Sequence, residues 1–92
     1  MRISEQKKEK IIEQILALLY SSPQPIFTSK VAFEIARDEE FIKTILLKLK
    51  KKGFVTEVKK NSDGVDYLKR SRWKLSDEVY SAYRKQQGNR FL

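Results

Sequence analysis

The sequence predicts an α+β fold of one domain over residues 1–92: a three-helix core, a β-hairpin and a C-terminal helix. Three observations carry that expectation. Apolar residues recur at helical spacing in three stretches before Gly53, and again near the C-terminus. Directly after Gly53 the apolar period shortens toward two, on either side of a turn sequence. At 92 residues the chain has room for one modest core, which short helices and a hairpin would fill.

The first helix is expected from about Ser4 to about Tyr20, with Ile11, Ile12, Ile15, Leu16 and Leu19 on one face. Ser4 suits the N-cap, and Glu5 suits the positive end of the helix dipole. Pro23 and Pro25 cannot continue a helix and favour extended chain, so Ile26 and Phe27 are expected as a very short strand. Thr28 or Ser29 is expected to cap a second helix, with Val31, Ala32, Ile35 and Ala36 inward. Arg37 and Asp38 break that pattern. Asp38 is a good N-cap for a third helix to about Lys52, with Glu39 and Glu40 in its first turn and Ile42, Ile45, Leu46 and Leu49 inward. Gly53 stands where a helix needs its C′ residue.

Phe54 to Lys60 reads as a strand with Phe54, Thr56 and Val58 on one side. Asn61-Ser62-Asp63-Gly64 is a turn signal, and Val65 to Leu75 is the return strand, with Val65, Tyr67, Trp73 and Leu75 sharing one parity. A register that opposes Lys60 to Val65 brings Lys59 to Asp66 and Val58 to Tyr67. Ser76 is expected to cap the last helix, with Asp77 and Glu78 in its first turn and Val79, Ala82 and Tyr83 inward. Residues 86–92 are expected as a frayed tail. Trp73 is expected in the core under the hairpin, while Tyr67 stands equally well as a packing partner of Val58 or as a contact to nucleic acid.

The formal net charge is +8, from 20 Lys and Arg against 12 Asp and Glu. It is not spread evenly. Residues 1–42 hold six bases and seven acids, residues 43–74 eleven bases and three acids, and residues 75–92 three bases and two acids. The whole excess falls in one third of the chain, a pattern that suits a surface for polyanions. With no Cys and no His there is no thiol nucleophile, no imidazole base and no zinc site of the usual kind. Neither a phosphate-cradling Gly-rich loop nor a metal-spaced carboxylate cluster is present, so the chain is expected to be no enzyme and to need no cofactor or metal. The longest apolar run, Ile15 to Tyr20, is six residues, so no membrane span is expected. A cytoplasmic, nucleoid-associated protein is the expectation.

Three stretches carry a resemblance. Val31-Ala32-Phe33-Glu34-Ile35-Ala36 looks like the first helix of a helix-turn-helix. Ile42 to Val55 looks like a recognition helix running through its Gly into the first wing strand. Trp73-Lys74-Leu75-Ser76-Asp77-Glu78 looks like the second wing strand entering the last helix. In this order and spacing, residues 8–85 resemble the winged helix-turn-helix superfamily, in particular the small MarR- and ArsR-like regulators of bacteria and archaea. The chain departs from that pattern at Tyr80, where those regulators usually carry Gly.

The resemblance implies a double-stranded DNA-binding protein, a small transcriptional regulator that lays its third helix in the major groove and its wing along neighbouring phosphates. The nucleic-acid-binding residues it implies are Lys43, Thr44, Leu47, Lys48 and Lys51 on the helix, and Lys59, Lys60, Lys69, Arg70 and Arg72 on the wing. Arg70 and Arg72 share one strand face and Lys69 the other. Regulators of this fold usually pair, and a homodimer is expected through the terminal helices: Ile11, Leu18 and Tyr20 with Val79, Tyr80 and Tyr83. Glu39 and Glu40 lie where such a helix enters deepest. They serve as dipole complement, or a Glu reads a cytosine amino group, or the helix meets protein. Leu47 and Phe41 feed the last alternative, a winged-helix interaction module in a replication or transcription complex. The partner would dock on the third helix or on the C-terminal tail, which ends in Arg90-Phe91-Leu92. A DNA-coating chromatin protein and an RNA binder are the remaining readings.

Overall fold

The computed structural model describes residues 4–59 and 71–90. The elements are α1 (Glu5–Ser21), β1 (Ile26–Phe27), α2 (Thr28–Ile35), α3 (Glu39–Lys51), β2 (Val55–Val58), β3 (Arg72–Leu75) and α4 (Asp77–Arg90). The fold is α+β, and the described residues form four helices and one three-stranded antiparallel sheet in the order β1-β3-β2. β3 is therefore the central strand, although it is the last in sequence.

Local chemistry sets the helix ends. Ser4 caps α1 by accepting from the Lys7 N–H at 3.2 Å. Ser22 closes it, its N–H and hydroxyl both donating to the Leu18 carbonyl at 3.1 and 2.8 Å. Asp38 caps α3 by accepting from the Phe41 N–H at 3.2 Å. α3 ends in a double closure: the Gly53 N–H donates to Lys50 O at 3.0 Å and the Phe54 N–H to Leu49 O at 2.9 Å. Gly53 has φ +83°, the left-handed region where a Cβ is penalised. Ala36 makes the same kind of closure after α2 at φ 61°, without the freedom of a glycine. Ser76 accepts from the Val79 N–H at 3.3 Å and caps α4.

The core is Ile11, Ile15 and Leu19 of α1, Val31 and Ala32 of α2, Ile42, Ile45, Leu46 and Leu49 of α3, and Val55, Trp73 and Leu75 of the sheet. The expected α3 stripe is buried in full. Trp73, on the central strand and 1% exposed, packs into it as expected.

Four expectations are corrected. The hairpin register opposes Val55 to Leu75 and Val58 to Arg72, not Val58 to Tyr67. The shift is odd, so the residues sharing a face with Trp73 and Leu75 are Val55 and Glu57, not Phe54, Thr56 and Val58. Neither Thr28 nor Ser29 caps α2; Phe27 holds the cap position without a side-chain bond, and Thr28 is the first helical residue. Ile11 is 3% exposed and belongs to the core, so it is no spare surface for a second copy. Residues 86–90, expected in a frayed tail, have helical backbone to Arg90. The Asn61–Gly64 turn, Val65, Asp66, Tyr67, Phe91 and Leu92 lie outside the described residues.

Candidate nucleic-acid interface

With Ile42, Ile45, Leu46 and Leu49 turned inward, α3 presents its opposite side to solvent. Glu40, Lys43, Thr44, Leu47, Lys48 and Lys51 are all exposed, and Leu47 is 44% exposed. One exposed face thus unites five of the expected contact residues. The Thr44 hydroxyl donates to the Glu40 carbonyl of its own helix at 3.0 Å. Lys48, Lys50 and Lys51 lie in the last turn, where they complement the negative end of the helix dipole.

The expected wing residues fare unequally. Lys59 is exposed just beyond β2. Arg72 is half-buried on the central strand, and its guanidinium lies over the Phe27 ring, 4.4 Å from the centroid. It is thus anchored against β1, not displayed as a free arm. Lys60, Lys69 and Arg70 lie outside the described residues.

Sequence reasoning missed the knot that joins α3 to the hairpin. The Glu57 carboxylate accepts from Lys50 Nζ at 2.7 Å and from the Ser71 hydroxyl, with Lys59 Nζ at 3.9 Å. Burial alone would raise the Glu57 carboxyl. The hydrogen bonds from Lys50 and Ser71 and the charges of Lys50 and Lys59 outweigh it and hold the group below its ordinary value. The available signal was the single acid in the basic stretch from Lys43 to Lys60. Beside the knot, a cleft of about 110 Å³ opens between Thr28 and Ser29, Glu39 and Lys43 of α3, and Ser71.

At the other end, Tyr20 of α1 packs on Tyr80 and Tyr83 of α4, with ring centroids 5.1 and 5.4 Å apart. Burial, with a lesser push from Glu13, raises the Tyr83 hydroxyl. Tyr20 thus meets two other expected dimer residues within the chain, and Tyr80 keeps 46% of its surface exposed. Leu18 and Val79 are half-buried against the core. Among the described residues, no helix is long and apolar enough to cross a membrane.

No family model and no curated protein matches the chain in sequence. Solved structures do match in fold. ZitR of Lactococcus lactis superposes with a TM-score of 0.67 at 16% identity, over 96% of this chain and 56% of that one. The PcaV transcriptional regulator of Streptomyces coelicolor, solved with its natural ligand, gives 0.63 at 22% identity, over 97% and 62%. MepR of Staphylococcus aureus, solved as a DNA complex, gives 0.61 at 17% identity, over 88% and 73%. The chain thus spans just over half the length of ZitR, and it shares the winged helix-turn-helix fold of these three proteins.

Proposed function

We propose that the chain binds double-stranded DNA as a small transcriptional regulator, with α3 in the major groove and the basic hairpin against neighbouring phosphates. The observation that carries this reading is the exposed face of α3. It sets Lys43, Thr44, Leu47, Lys48 and Lys51 opposite the buried stripe, at the start of the third of the chain that holds the excess charge. The fold shared with MepR, which is solved on DNA, supports it. The work is binding, not catalysis, on DNA in the cytoplasm. Pairing through the α1–α4 end would present two copies of α3 to half-sites about one helical turn apart.

Fluorescence anisotropy with a labelled duplex, titrated over a range of salt, tests the reading. Each phosphate neutralised contributes a slope of about −0.9 to the log–log plot of affinity against salt. A steep slope, with competition by unlabelled duplex, is expected. Absence of binding at low salt would overturn it. The second reading, a protein-interaction module, rests on Phe33, 79% exposed on α2, and Leu47. An apolar interface of that kind keeps its affinity as salt rises.

A further inference from the structure

The outward midline of α3 has a chemistry of its own. At 3.6 residues per turn, Glu40, Thr44, Leu47 and, one turn on, Lys51 fall on one line directly opposite Ile42, Ile45, Leu46 and Leu49, with Lys43 and Lys48 flanking it. Glu40 is a carboxylate and accepts hydrogen bonds only. The Thr44 hydroxyl proton is committed to the Glu40 carbonyl at 3.0 Å, which leaves its oxygen as an acceptor and its methyl group free. Leu47 offers only carbon. The midline from Glu40 to Leu47 therefore displays acceptors and apolar groups and no donor.

Major-groove edges differ in what such a line can meet. Adenine and cytosine offer an amino donor, and thymine offers its methyl group. Guanine presents two acceptors there, which face a carboxylate and a hydroxyl oxygen without a shared proton. An A·T pair alone supplies both a donor and a methyl group. We propose that Glu40, Thr44 and Leu47 select A·T pairs at the centre of the bound site and exclude guanine from it. Lys43 and Lys48 beside the line and Lys51 at its end hold phosphate. This rests on the DNA-binding reading above and extends it to the bases read.

Selection of the purified chain on duplexes with a randomised core, followed by affinities of single-site variants, tests the proposal. The wild type should enrich A·T pairs at the site centre and deplete guanine. Replacing the central thymines by uracil removes only the methyl group, and each methyl lost should weaken binding about fourfold. Leu47→Ala should abolish that sensitivity. Glu40→Gln, which supplies a donor, should admit guanine, and Thr44→Val should narrow the preference for A·T over G·C while keeping the loss of affinity on replacing thymine by uracil. All three positions are exposed, so the variants should melt like the parent. Tight binding with no base preference, or enrichment of guanine at the centre, overturns this proposal and leaves DNA binding intact. If no duplex is bound at any salt concentration, the DNA-binding reading fails and this one with it.

Discussion

The indole Nε1 of Trp73 donates to the Thr28 hydroxyl at 2.8 Å, joining residues 45 apart in sequence. The bond ties the central strand to the first turn of α2, where the expected cap would have stood. Thr28→Val keeps the shape and leaves the indole N–H without its acceptor. It should cost about 1–3 kcal/mol in urea denaturation. Trp73→Ala should cost more, about 3–5 kcal/mol, because it also opens a cavity in the core.

Ala36 holds a left-handed conformation between α2 and α3, φ 61°. A Cβ there is strained, whereas glycine adopts that region freely. Ala36→Gly should stabilise the fold by about 1 kcal/mol and raise Tm by roughly 4–8 °C in a calorimetric scan.

Glu57 should make stability fall in acid. Its carboxyl is lower in the folded chain than in the unfolded one, so the folded state binds its proton less readily. The stabilisation is complete above the unfolded value and is lost as pH falls through the lower, folded value. Glu57→Gln should flatten that part of a stability–pH profile measured by denaturant melts, most visibly below about pH 4.5.

The lysines of α3 should separate by their partners. Lys48→Ala and Lys51→Ala should each reduce the salt slope of DNA binding by about one unit. Lys50→Ala should change the slope less, since Lys50 already pairs with Glu57 at 2.7 Å. Its larger effect should be on melting temperature.

Pairing through the terminal helices predicts twice the chain mass in sedimentation at tens of micromolar. Tyr80 is the exposed member of the aromatic trio, so Tyr80→Glu should shift the protein toward monomer. A parent that sediments as a monomer would count against the dimer.

The helical part of the fold was legible because its signals are local. The α3 stripe, the Ser4, Asp38 and Ser76 caps and the Gly53 closure each depend on neighbours a few residues away. The hairpin register was not legible, because Asn61–Gly64 is a local cue and burial of a face is a global one. Pairing Val55 with Leu75 puts two core residues together. The expected register would have set Val55 against Arg70 and carried Leu75 past the strand's end. Within the candidate interface, the outward face of α3 followed from its inward one. The anchoring of Arg72 on Phe27 did not, since two elements distant in sequence create it.

The sheet order also dictates when the protein can fold. β1 and β2 do not pair with each other; both pair with β3, which lies between them. A nascent chain that has emerged only as far as residue 60 holds two strands with nothing to join them. It also lacks Trp73 and Leu75, so its three helices close around an incomplete core. The strand that completes the domain follows the first three helices and the other two strands in sequence, and long-range pairing of this kind is slow to nucleate. Folding therefore waits for β3, and a chain stopped short of Leu75 leaves apolar helix faces open to aggregation.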